Sequence, residues 1–322
     1  MRIKTNINYS MDMLCFINIM TADQYYINFH KEGFDKFYPL ISDNIKHNID
    51  DFITKQGYSM LSPTLTLFIS SMSDFTDRDL LEMLENHEEI KYSMSRTPYT
   101  FTDDEFLMYF TFFDNALVPL INELHTAGFK DFWTKNKLPH IKAKCEDIDK
   151  YMEQYDIHSL INQYRNFDNT DFAVYICSFA KPHGIKLCGN NIISDISYTN
   201  KNILSNVTHE VFHPAFDWDK VKQSIEVLAE KPWVKEAFIN QNPNSGYHNI
   251  EGFIEEHIVE ALGIYVMVQL GTEINPMEYF KIHDEGSHVI SPYFYKYLSE
   301  TKKEPSQSFE EYFNKFVDIM ID

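Results

Sequence analysis

The chain is short of cysteine, short of basic residues and without a long apolar run, and each shortage excludes a class of protein. Four cysteines (Cys15, Cys145, Cys177, Cys188) in 322 residues are too few and too scattered for a disulfide scaffold. None forms a CxxC pair, so a thiolate zinc site is not expected. Cys177 and Cys188 could meet across neighbouring strands, but buried, reduced thiols are the simpler expectation. Lys and Arg number 28 against 48 Asp and Glu, a formal charge of −20. A surface this negative repels phosphate backbones and anionic lipid, so no nucleic-acid partner is expected. No stretch approaches the roughly 18 uninterrupted apolar residues of a membrane span. At the N-terminus, Asn6, Asn8, Ser10 and Asp12 break any signal-peptide core. The expected location is the cytoplasm, or outside it if a leader has been removed from the chain.

Large apolar side chains are abundant. Phe, Tyr and Trp number 26, 20 and 3, or 15 % of the chain, enough for a substantial core. From the N-terminus to about Phe167 the apolar residues recur at helical spacing, as in Asp79–His87 and Phe106–Ile121. Thr102 three residues before Glu105 forms a capping-box start for the second of these. The six histidines of this half are isolated in sequence. At Asp171 the pattern changes: Phe172–Phe179, Ile185–Leu187 and Ile192–Tyr198 read as two or three short antiparallel strands, with a hairpin across Gly189-Asn190-Asn191. Asn242–Gly246 reads as a loop. The halves divide at 168/169, a helical region of residues 1–168 supporting a second region of residues 169–322.

The residues that carry chemistry are His209-Glu210-Val211-Phe212-His213. On a helix, positions i and i+4 share a face, so two imidazoles can reach one ion, each roughly 2.0–2.1 Å from a zinc. Glu210 stands beside the first histidine, where it can act as general base toward a water whose pKa zinc lowers to about 7. With 13 His and 24 Glu, the H-E-x-x-H pattern arises in roughly 4 % of shuffled chains, so context must support it. Ile203, Leu204 and Val207 supply that context as the apolar face of a helix. Pro214 follows the second histidine and has no amide for the carbonyl of Glu210, so the helix should end or kink near His213.

Two histidines need a third protein ligand and an open position. The extended pattern with a third histidine is absent, since Phe216 and Asp219 stand at the positions it requires. The alternative donor is a glutamate on a separate helix, found in Glu251–Val266. Glu256 is the first choice, with Glu260 one turn on placed to orient a ligating histidine. Glu255 and Glu251 are the second and third choices, because they fall in the arc of Ile258, Val259, Leu262 and Val266. His257, about 100° from Glu256 on the helix, is not expected to ligate.

The H-E-x-x-H motif followed by a glutamate helix resembles the gluzincin class of zinc metallopeptidases. It is similar, more closely, to a group of uncharacterised bacterial gluzincin-like proteins with a Glu-x-[Ile/Leu]-Val-Arg-Ala segment, here Glu256-His-Ile-Val-Glu260-Ala261, with Glu in place of Arg. The resemblance implies an α+β, mainly helical protein: a helical N-terminal half, then a zincin-like catalytic half with a small, partly antiparallel sheet and two metal-binding helices. It implies Zn2+ held by His209, His213 and Glu256, hydrolysis of a peptide or protein substrate with Glu210 as general base, and a downstream His or Tyr at the oxyanion. His283, His288, Tyr293 and Tyr297 are available, and His288 and Tyr293 are the best placed. The strand run would pair with an extended substrate. A competing expectation is an inactive relative that binds a peptide or protein partner; a third is a helical interaction protein with a fortuitous motif.

Overall fold

The computed structural model describes residues 3–165, 171–241 and 249–321, of which 67 % of the structure is helical beside one small mixed sheet. Contacts divide the chain into two compact units. A sheet-bearing unit takes residues 3–151 and 171–200; a histidine-bearing unit takes the described parts of 152–170 and 201–322. The strand run therefore groups with the N-terminal helices. The expected boundary at 168/169, Phe167 and the expected loop Asn242–Gly246 lie outside the described residues.

Four strands form the sheet: β1 (Ile3–Asn6), β2 (Phe172–Cys177), β3 (Ile185–Lys186) and β4 (Asn191–Asp195), in the order β1-β2-β4-β3. The expected hairpin is present, with β3 antiparallel to β4 (Ile185↔Ile193) and Gly189 at φ 68° in its turn. The rest of the sheet corrects the antiparallel expectation. β2 runs parallel to β4 (Ala173↔Asn191) and to β1 (Ile3↔Phe172). β2 and β4 are nearly buried throughout; β2 reads as a continuous apolar run, the mark of a covered parallel strand, while β4 ends in buried Ser194 and Asp195.

Beside β2 lies the helix Tyr9–Met20, buried at every position from Met11 to Met20. A helix without a polar face must be central to its unit. Its polar groups are met internally: Asn18 Oδ1 accepts from the amides of Leu61 and Ser62 (2.8 and 2.9 Å). The capping box at Thr102 is formed, with Thr102 N donating to Glu105 Oε2 at 2.7 Å. The helix Asp103–Phe112 does not run straight to Ile121, because a widened turn, Phe113–Leu117, precedes the helix Val118–Thr126. Pro119 cannot donate to the carbonyl of Asn115, which accepts instead from Asn48 Nδ2 at 2.7 Å. All four cysteines are buried free thiols. Among the described residues no helix is long and apolar enough to cross a membrane.

The described residues of the histidine-bearing unit form helices joined by turns and loops, with no strand among them. Its axis is the glutamate helix Ile250–Gln269, started by Asn249, whose side chain accepts from Gly252 N at 2.7 Å. Phe253, Ile254, Ile258, Val259, Leu262 and Met267 are buried along it. Against it pack the helices Trp218–Ala229 and Ser291–Glu300, and Phe309–Ile321 adds Tyr312, Phe313 and Phe316 to the core.

Candidate metal centre

The motif helix spans Asn200–Glu210, with Ile203, Leu204, Val207 and Thr208 buried. It ends earlier than its sequence pattern extends. Val211 N still reaches Val207 O, but Phe212 N and His213 N turn back to His209 O and Glu210 O, three residues away (3.0 and 3.2 Å). Pro214 prevents a further helical bond, as expected, and His213 sits on a tightened turn just past the helix. The motif and glutamate helices come close together at Gly263, where an added Cβ would lie 3.2 Å from His209 Cα and 3.3 Å from Thr208 O.

This crossing brings His209, His213 and Glu256 together. His209 Nε2 is 3.2 Å from Glu256 Oε1, His213 Nε2 is 3.3 Å from Glu256 Oε2, and the two Nε2 atoms are 3.3 Å apart. Two atoms each 2.0–2.1 Å from one ion at the tetrahedral angle lie about 3.3–3.4 Å apart, so the spacing suits a small divalent cation. Two facing Nε2 atoms can bond each other only if one donates and the other accepts. A cation takes both lone pairs at once.

The remaining ring nitrogens support that orientation. His209 Nδ1 meets Glu260 Oε2 at 2.7 Å and His213 Nδ1 meets Glu255 Oε1 at 3.4 Å. Ionised carboxylates only accept, so each Nδ1 carries the proton and each Nε2 is left to face the cluster. Glu255 also accepts from Ala215 N at 2.7 Å. The electrostatics favour positive charge here. Burial opposes protonation of both histidines, but Glu256 and Glu260 hold His209 well above its ordinary pKa. Glu255 and Glu256 likewise raise His213 to about 9. Burial would raise Glu256, yet the two imidazoles hold it well below the usual carboxylate range. Glu260 is lowered against its burial in the same way, first by His209. In the metal-free chain, protons supply the positive charge that the cluster favours.

The other candidates are placed differently. Glu210 is half-buried, and its carboxylate has no hydrogen-bond or ion-pair partner among the described residues. Glu251 is exposed, which corrects its choice as a ligand: it lies on the first turn of the glutamate helix, before the apolar arc closes around it. Glu255 contacts the back of His213 and not the cluster. His257 is buried, with its carbonyl accepting from Ser291 Oγ at 2.7 Å. His288 is only 1 % exposed and lies between the rings of His257 and His283, at 5.1 and 5.4 Å. Tyr293 is 53 % exposed and packs on Trp233 at 5.7 Å. Neither belongs to the triad, although His288 is near enough to help lower Glu260, the partner of His209 Nδ1; Tyr297 is buried among Tyr312 and Phe316.

One contact at the site has no counterpart in the sequence pattern. Arg165 Nη1 donates to Val211 O and His213 O at 2.5 and 2.8 Å, from 46 and 48 residues upstream. No family model matches the chain, and no curated protein or solved structure is significantly similar to it.

Proposed function

We propose that the protein is a zinc-dependent peptide hydrolase of gluzincin type, with His209, His213 and Glu256 as ligands and Glu210 as general base. The observation that carries this reading is the triad itself: three donors at cation spacing, with both Nδ1 atoms turned to carboxylates. When bound, zinc would polarise the scissile carbonyl and make water acidic enough to lose a proton near neutrality. Glu210 takes that proton as the water oxygen adds to the carbonyl carbon, then passes it to the amine nitrogen as the C–N bond breaks. Glu260 and Glu255 keep the imidazoles oriented throughout. The ligand side chains are 13–20 % exposed, and a partly exposed cluster suits a site that must admit water.

A second reading, an inactive protein of the same site that binds a peptide or protein partner, draws on the placement of His288 and Tyr293. His288 is buried against His257 and His283, and Tyr293 packs on Trp233, whereas an oxyanion needs a donor that faces the metal. Metal analysis combined with Glu210→Gln separates the readings. The hydrolase binds one zinc per chain, and E210Q keeps the zinc but loses hydrolysis of a peptide library. A chain that takes up no zinc, or an E210Q protein as active as wild type, overturns the hydrolase reading. Bound zinc with no turnover by the wild type favours the binding protein.

A further inference from the structure

The turn that carries His213 is held from outside its own helix. In a continuing helix Val211 O would accept from Ala215 N, but that amide donates to Glu255 Oε1 at 2.7 Å, and Pro214 has no amide to offer. Arg165 takes over. Its Nη1 alone donates to both Val211 O and His213 O, so a single cationic nitrogen joins the two ends of the turn. The location is favourable, since the C-terminal carbonyls of a helix carry partial negative charge.

Arg165 is itself anchored. It is one of only four arginines in the chain, and it follows the helix Ile157–Ile161, in which Ile157 and Ile161 are buried. Its neighbour Tyr164 is buried against Tyr265, Tyr312 and Phe309 (5.8, 6.1 and 6.5 Å). The arm of residues 152–165 is thus part of the histidine-bearing unit, although it precedes the strands in sequence.

We infer that Arg165 is a positioning residue for the metal centre, fixing the backbone of His213 so that its Nε2 faces His209 Nε2 and Glu256 Oε2. The inference rests on the reading of these three side chains as metal ligands. Arginine acts here through the backbone that it clamps.

The test is titration of the full chain with Co2+, followed by competition with Zn2+, in wild type, R165Q and R165K. Visible absorption of the cobalt protein reports ligand geometry, and circular dichroism reports the fold. R165Q should fold, bind both metals roughly 10–100-fold more weakly, and show a shifted cobalt band at saturation. R165K, which keeps the charge on a shorter side chain, should fall between the two. R165Q with wild-type affinity and a wild-type band overturns the inference. If R165Q does not fold, R165K decides: a shifted band on an intact fold supports the role of Arg165, and an unshifted band removes it. A wild type that binds neither metal defeats the metal centre itself, which is a separate result from a wild type and R165Q that bind equally.

Discussion

Asp12 in the sheet-bearing unit and Glu256 in the histidine-bearing unit are both carboxylates withdrawn from water, and their partners differ in kind. Asp12 is fully buried and accepts from Trp133 Nε1 and from the amides of Ser178 and Phe179 (2.6, 2.7 and 3.1 Å). These donors are neutral and cannot leave, and burial pushes the Asp12 pKa up to about 7 against them. Glu256 faces two imidazoles whose protons can leave, and they hold it well below the usual range. A buried acid satisfied by fixed neutral donors is a structural brace. One satisfied by protons that a cation can replace is suited to hold a metal ion.

The contrast is broken most sharply by paired substitutions. His213→Ala removes one of three donors and should abolish stoichiometric zinc binding, a larger loss than the roughly 100-fold that follows removal of a supporting hydrogen bond. Asp12→Ala should leave zinc binding at the wild-type level. It strands three donors in a closed core, and urea unfolding should show a loss of about 3 kcal/mol or more. Zinc binding that follows Asp12 instead of His213 would erase the distinction.

Proton linkage separates the same two sites by pH. Asp12 has a folded pKa of about 7, above that of an unfolded Asp at 3.8. The folded state therefore keeps its proton longer, and stability falls as pH rises between those values. His213 has a folded pKa of about 9 against 6.5. Its contribution is complete below 6.5 and fades as pH rises through 9. Melting curves of the zinc-free chain should show both slopes, with Asp12→Asn removing the lower one and His213→Ala the upper. Zinc should abolish the upper slope, because the metal replaces the proton.

The smallest of these effects lies at the crossing of the two helices. Gly263→Ala places a methyl group against the backbone of Thr208 and His209, which cannot rotate away. It should destabilise the chain by about 1–2 kcal/mol and weaken zinc binding by displacing His209. Unchanged melting and affinity would mean that the close approach is not needed.

Local signals were the legible ones. The H-E-x-x-H spacing, the i,i+4 glutamates, the Thr102–Glu105 box and the helix stop at Pro214 each depend on neighbours within one or two turns. The triad and the Glu260 contact follow from such spacing once the two helices meet. Pairing across the chain was hidden. β1 joins β2 at Ile3↔Phe172, and four residues with one alternation do not announce a partner that distant. Glu251 misled because a helical wheel treats the first turn as though the unit already enclosed it. His288 packs against His257 and Tyr293 against Trp233, placements that loop position and residue type do not reveal. Arg165 was invisible for a related reason: its partners are carbonyls, which every residue possesses.

Anomalous diffraction at the zinc edge, from crystals of the full chain grown with zinc, addresses the metal centre most directly. The expected result is one strong peak bonded to His209 Nε2, His213 Nε2 and a Glu256 oxygen, with Glu260 and Glu255 still on the Nδ1 atoms. A peak bound elsewhere, or none at this cluster in zinc-saturated crystals, would contradict it.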